Sequence, residues 1–329
     1  MNGTQRRNLM QLDDTRTVFL ARVASLYYDQ NKSQQEISKE LGVSRSAISR
    51  FLTEARERGI VEIIVHYPWR NLPTLEEELI SIFKLKAARV LKTENKSYEE
   101  MLQGLGTLAA QFLDNVLYDG MIIGISWGTA LYQMIRAMQP RNLSGIEVVQ
   151  LIGATGSENV PTDGPILARL LTDRLGGFPR YLHAPLIVEN ETVRETLLQT
   201  RNIQETLARA EQADVALVGI GCPNSELYSL KRAGYVDEAE TQHIRAAGVV
   251  GDICGHHYSL TGEWLDIDIN HRAVGISLET LLNIDMVIGV AGGSRKGAAI
   301  LGALRGHYIN VLITDERAAQ KILALHQAN

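Results

Sequence analysis

Two groups of residues in this 329-residue chain have types and spacing suited to chemistry. The first is a row in SRSAISRFLTEARERG: Arg45, Ser46, Ser49, Arg50 and Thr53, with Arg56 beyond and Gln34 and Gln35 just before. At helical spacing the row falls on one outward face. Arginine pairs bidentately with guanine, and serine or threonine suits bases or phosphates. Arg56, Gln34 and Gln35 are candidate phosphate contacts, which fix register on DNA. The second group is a set of glycine-rich stretches, GISWGTA (124–130), LIGATG (151–156), LVGIGCPNSE (217–226) and GVAGGSRKGAA (289–299). Glycine lets backbone N–H groups approach a ligand, and a helix N-terminus favours an anion. Ser126, Thr129, Thr155 and Ser294 add hydroxyls, and Arg295 and Lys296 add positive charge. Together they suit a small, hydroxyl-rich, phosphorylated ligand, although any single glycine turn also serves tight packing.

Other chemistries fit less well. No stretch reads G-x-x-x-x-G-K-[ST], nor G-x-G-x-x-G with an acidic residue about 20 positions on, so an ATPase or an NAD enzyme is disfavoured. GDICGHHYSLTGEW (251–264) holds Cys254, His256 and His257, but a four-ligand metal site needs a second pair at recognisable spacing. Cys222 is the one other cysteine, and His243 and His271 are isolated. Asp252 either faces the ligand or caps a turn. Asp266, Asp268, Asn270 and His271 are either hydroxyl contacts or a solvated edge. Trp127 is a pocket wall or a core residue. No Ser-His-Asp or Cys-His arrangement emerges, so no catalytic residue, cofactor or metal is expected.

These groups need elements to position them. Val18, Phe19, Val23, Leu26 and Tyr27 give a helical stripe over 15–31. Ser33 and Glu36 form an S-x-x-E capping box at the start of a second helix, which Gly42 ends. Ser44 caps a third helix to about Arg58. Two helices across a tight glycine turn have the spacing of a helix-turn-helix, whose second helix enters the major groove. The alternative is a helical hairpin used for dimerisation. IVEIIVHY (60–67) reads as a strand, and PWRNLP (68–73) as a boundary. The expected organisation is an N-terminal tail (1–14), a DNA-binding region with a winged-helix-like strand (15–67), a linker (68–73) and an effector and oligomerisation domain (74–329). In the last, strand-like runs at 88–93, 121–126, 146–153, 180–188, 214–221, 285–293 and 308–315 alternate with helical stretches such as 129–137, 164–175 and 295–304. That alternation predicts a doubly wound α/β sheet, with ligands beyond the carboxyl ends of its strands.

Composition agrees. The chain is 45% hydrophobic and 22% charged, as in soluble globular proteins. No apolar run of about 18 residues spans a membrane, and the N-terminus lacks a signal core. Two cysteines make no disulfide framework, which points to a cytoplasmic protein. The net charge of −5 hides an asymmetry: residues 1–70 hold 11 Lys and Arg against 8 Asp and Glu, and the rest hold 22 against 30. A basic head on an acidic body suits a protein whose head alone touches a polyanion.

SQQEISKELGVSRSAISRFLTEARERGIVEI, GISWGTALYQM, VVQLIGATG, VGDICG, INHRAVGI, AGGSRKGAAILGAL and YINVLITDERAA, in this order, resemble the SorC-type sugar-responsive bacterial transcription regulators. The likeness covers nearly the whole chain from about residue 15. It implies operator DNA as partner, dimers or tetramers, and an effector domain related to glucosamine-6-phosphate deaminase and phosphosugar isomerases. It also implies an effector site of Gly124, Ser126, Trp127, Gly128 and Thr129, then Gly153, Thr155 and Gly156, then Asp252, then Gly292, Gly293, Arg295 and Lys296. Some relatives carry an imine-forming lysine in the second loop. Here that loop is LIGATG, with Ile152 and no lysine, which argues against covalent capture and a deoxyribose phosphate effector. The expected function is regulation of a carbohydrate-catabolic operon by a sugar phosphate or polyol. The alternative is an enzyme of the phosphosugar isomerase or deaminase kind.

Overall fold

A computed structural model describes residues 3–61, 69–94, 96–156, 161–224 and 226–328, with side chains from residue 15. The chain divides into two compact units, Met1–His66 and Tyr67–Asn329.

The smaller unit holds three helices: α1 (Gly3–Tyr28), α2 (Gln34–Leu41) and α3 (Arg45–Glu57). The expected tail is thus helical from Gly3 onward, since no glycine or proline interrupts residues 4–28. At α2 the capping box is formed in both directions: Glu36 N–H donates to Ser33 Oγ at 3.3 Å, and Ser33 N–H to Glu36 Oε2 at 2.8 Å. Such a cap contributes about 1 kcal/mol. Gly42 ends α2 at φ 66°, and Ser38 Oγ donates to the Val43 carbonyl across the turn at 2.6 Å. Val23, Leu26, Ile37, Ile48 and Leu52 form the core between the three helices. Arg16 bridges to Glu54 at 2.5 Å and lies over the Phe51 ring, tying α1 to α3. The expected strand at 60–67 falls from residue 62 outside the described residues.

The larger unit is a doubly wound sheet. Its strands are β1 (Ala87–Leu91), β2 (Ile122–Ile125), β3 (Glu147–Gln150), β4 (Phe178–Arg180), β5 (Val215–Gly219), β8 (Met286–Val290) and β9 (Val311–Asp315); a separate hairpin supplies β6 (Gly251–Ile253) and β7 (His256–Tyr258). The order is β1-β9-β8-β5-β2-β3-β4, and every neighbouring pair is parallel. Residues alternate between two cores. In β5, Val215 and Leu217 join one, whereas Ala216 and Val218 join the other. Covering both faces explains the continuous apolar runs. Helix α4 (Pro73–Phe83) packs on one face through Leu79 and Phe83; α5 (Tyr98–Asp114), α6 (Thr129–Ala137) and α7 (Gly164–Leu175) pack on the other.

From β2 the chain winds one way to β3 and β4, then crosses back to β5 and winds the other way to β8 and β9. The reversal makes a switch point between β2 and β5, where open α/β sheets bind ligands. One expected strand differs. Residues 181–186 alternate in burial as a strand would and 186–188 are all buried, but beyond Arg180 the stretch pairs through isolated bridges, Ala154–Pro185 and Ile187–Ala273. Pro185 has no N–H to give a ladder.

Candidate functional site

In the smaller unit, Arg45, Ser46, Ser49, Arg50, Thr53 and Arg56 are all exposed on α3, opposite the buried Ile48, Leu52 and Ala55. Gln35 is exposed and Gln34 half-buried at the start of α2. The outward row is loosely ordered within itself: Thr53 Oγ1 donates to the Ser49 carbonyl at 3.2 Å, and Arg56 Nη2 to Thr53 Oγ1 at 3.4 Å. The helix therefore presents three arginines and several hydroxyls, backed by a core of Ile48, Leu52 and Ala55.

In the larger unit, hydrogen bonds join the strand-end loops around the switch point. Ser126 N–H donates to the Leu217 carbonyl at 3.0 Å, and Gly219 N–H donates to Ser126 Oγ at 3.3 Å, so the loops after β2 and β5 are stitched together. Gly128, at φ 124°, leads into α6, which has no side-chain cap; Trp127 and Thr129 flank it half-buried. Thr155 in the second loop donates its N–H to Asp163 Oδ1 at 2.9 Å, and the same oxygen accepts from Gly164 N–H at the start of α7. Among the described residues Thr155 Oγ1 is buried without a partner. Gly156 is exposed at φ 72°.

Asp252 lies on β6, pinned by backbone bonds to Gly221 in the loop after β5. Its Oδ1 is buried and unpartnered. Burial pushes its pKa up, and His257 and Lys296 oppose the rise. Lys296 Nζ donates to the Ile220 carbonyl at 2.6 Å, which places the ammonium beside that loop. Burial pulls its pKa down, while Cys222 and Asp252 raise it. Cys222 is buried there, its thiol pushed up by burial. The loop after β5 thus brings the Lys296 ammonium near the buried Asp252 carboxyl, and the loop after β3 carries the unpartnered Thr155 hydroxyl.

Not every implied residue faces it. Gly124 lies inside β2, where a Cβ would come 2.5 Å from Leu151 Cδ2. Gly292 would meet Leu105 Cδ1 at 2.6 Å, and Gly153 the Pro185 carbonyl oxygen at 2.2 Å. These three glycines are small because neighbours press on them. Gly293, at φ 91°, donates its N–H to Asp315 Oδ1 at 2.6 Å. Arg295 is exposed and paired with Glu226. The expected helix at 295–304 opens as a 3-10 turn, Ser294–Lys296, before Gly297–Arg305.

Sequence reasoning passed over several neighbours. Tyr98 stands over Gly293, near Arg232 and Arg295. A cavity of about 400 Å³ beside Ala154 is lined by Gln150, Arg169, Tyr181 and His183. Asp163 was legible in principle, because D-G-P before an apolar periodic run marks a helix start. Arg169 and His183 carry no local signal. Among the described residues no group of three or more His, Cys, Asp and Glu side chains is placed to hold a metal ion. His257 is instead engaged by Tyr228 and Asn270.

Comparison with known proteins decides the family. Residues 67–324 match the family model described as Putative sugar-binding domain, and residues 21–58 match Sigma-70, region 4. The deoxyribonucleoside regulator of Bacillus subtilis (strain 168) is 35% identical over 91% of this chain and 95% of its own length. The sorbitol operon regulator of Klebsiella pneumoniae is 34% identical, over 94% and 98%. The chain belongs to the SorC-type family of sugar-responsive transcriptional regulators. The crystal structure of the full-length Klebsiella SorC superimposes with a TM-score of 0.70 at 32% identity, covering 94% of this chain and 99% of that one. Like these named regulators, this SorC-type chain joins an N-terminal helix-turn-helix region to a sugar-binding α/β domain, and it is a regulator, not an enzyme. Among the described residues no helix is long and apolar enough to cross a membrane.

Proposed function

We propose that α3 reads operator DNA through Arg45, Ser46, Ser49, Arg50 and Thr53, with Gln34, Gln35 and Arg56 on phosphates, and that the crevice binds a sugar phosphate or polyol. The exposed row on α3, backed by Ile48 and Leu52, carries the first part. One such helix reads a few base pairs. Two, centred about 34–36 Å apart, read a two-fold site. Dimers or tetramers are therefore part of the mechanism, and the cytoplasm is where they meet DNA.

Within the crevice, the unpartnered Asp252 Oδ1 supports a hydroxyl-rich ligand, because a carboxylate accepts from sugar hydroxyls. Lys296, Arg295 and the uncapped start of α6 support an anionic group on it. Ser126, Trp127, Gly128, Thr129, Thr155, Gly156, Gly293 and Asp252 make up the rest. Gly124, Gly153 and Gly292 act by letting the walls close up. The strand-end location is consistent with kinship to glucosamine-6-phosphate deaminase and phosphosugar isomerases. A ligand coupling of about 1–3 kcal/mol changes operator affinity roughly 5–150-fold.

Selection of DNA from a random pool tests the first part: the intact protein enriches a two-fold sequence, and Arg45→Ala/Arg50→Ala does not. Enrichment unchanged by the double substitution refutes it. Thermal-shift screening of sugars, polyols and their phosphates tests the second. A hit that persists in Lys296→Met and Asp252→Ala refutes the assigned crevice.

A further inference from the structure

The β6–β7 hairpin has a second face. Asp252 and His257 are cross-strand partners, as are Ile253 and His256. Opposite residues share a face and successive ones alternate, so His256 points away from Asp252. On that side lies a cavity of about 370 Å³. That volume is within the range of small-molecule sites.

His256 lines this cavity, is 4% exposed, and among the described residues neither ring nitrogen has a hydrogen-bond partner. Burial, with the Arg194 guanidinium and His257 nearby, pulls its pKa down to about 3, and the Ile276 backbone opposes this only slightly. The ring is therefore neutral, with one N–H donor and one acceptor. Buried polar atoms left in this state are uncommon, and each needs an explanation. Arg194 shares the cavity, and its Nε donates to the Ala273 carbonyl at 2.7 Å, which fixes the guanidinium. Its terminal nitrogens make no other hydrogen bond among the described residues. Around these polar groups the apolar walls are Trp264, Leu278, Leu282 and Tyr308, and His271, Ser277 and Glu279 complete the lining. Trp264 and Leu282 are 41% and 50% exposed at the rim.

We propose that this cavity is a second ligand site, taking a small monocarboxylate with an aromatic or branched aliphatic body. The guanidinium fork of Arg194 matches a carboxylate in geometry and charge. The His256 N–H donates to the same group, and the apolar body lies against Trp264 and Leu278. Asn270 also lines the cavity, and on its other side it clamps His257: its Oδ1 accepts from His257 N–H at 2.7 Å, and its Nδ2 donates to the His257 carbonyl at 2.9 Å. The site is thus built on one wall of a hairpin whose other wall carries Asp252.

Benzoate is the probe, titrated into the full chain and read by saturation-transfer NMR and calorimetry. Saturable binding with a Kd of about 1 mM or tighter is expected, weakened at least about tenfold by Arg194→Gln. Leu282→Trp, which narrows the exposed mouth without touching the core, weakens it likewise. Benzamide, the same body without the charge, binds at least about tenfold more weakly. No saturation by about 10 mM overturns the proposal. So does binding that survives both substitutions, equal affinity for benzamide, or displacement of benzoate by inorganic phosphate at equal concentration.

Discussion

Replacing Asp252 with Asn separates two roles of one carboxylate. The side chain is 4% exposed, and its Oδ1 has no partner. A Cβ on Gly221 would come 2.0 Å from that oxygen, so the space admits nothing larger, and Asn is isosteric. Leaving a buried polar atom unsatisfied costs about 1–3 kcal/mol, more for a charge. Because burial raises the folded pKa of Asp252 above the ordinary 3.8, the protonated form is the one folding favours. Its contribution is complete below the unfolded pKa and is lost as pH rises through the folded pKa. Wild-type stability should therefore fall relative to Asp252→Asn as pH climbs above the ordinary 3.8. At pH 8 the variant should be more stable by about 1–3 kcal/mol. For a domain of this size that is a rise in Tm of several degrees. The assay is thermal unfolding of the full chain followed at the transition of the larger unit, across that pH range, with and without a sugar ligand found by screening. The variant should gain stability and lose the ligand's stabilisation. A pH-independent difference, or a variant less stable at pH 8, would refute the reasoning and make the carboxylate a satisfied structural anion.

Further outcomes follow from the packing. Ile48→Ala empties a fully buried site between α2 and α3 and should cost about 2–5 kcal/mol, abolishing DNA binding while leaving the larger unit's melting transition unchanged. Gly153→Ala drives a methyl to 2.2 Å from the Pro185 carbonyl oxygen, so its Tm should drop; an unchanged Tm would show that residues 184–186 yield freely. Arg50→Ala should weaken operator binding and lower its salt slope by about one if the contact is to phosphate, or relax base preference at one position if it is to guanine.

Much of this was legible because the signals were local. Ser33, Glu36 and Gly42 set the ends of α2 through capping and a left-handed residue, and Ile37, Ile48 and Leu52 then fix which face of α3 is left outside. The parallel strands read clearly from apolar runs such as Val215–Gly219, buried on both sides. What failed to show depended on distant partners. Residues 180–188 read as one apolar strand, and only Pro185 hints that the ladder stops. Gly124 and Gly292 stand in loop-like motifs, but the side chains that need their smallness, Leu151 and Leu105, are remote in sequence. The stretch 251–264 looks like a polar loop or a metal site. It folds as a hairpin with Cys254, His256 and His257 buried, His257 held by Tyr228 and Asn270, and Tyr258 Oη donating to the Ala299 carbonyl in the helix Gly297–Arg305.

The turn of that hairpin is two residues long, Cys254 at φ 53° and Gly255 at φ 77°. Positive φ at both positions matches the twist of paired strands, and a cysteine tolerates it less readily than an asparagine. The tight turn fixes the register in which Ile253 opposes His256 and Asp252 opposes His257. A slip of β7 by one residue would exchange His256 with His257, sending the ring that now lines the outer cavity towards Asp252 and the one held by Tyr228 and Asn270 into that cavity. Two residues of turn thus decide which histidine each side of the hairpin receives.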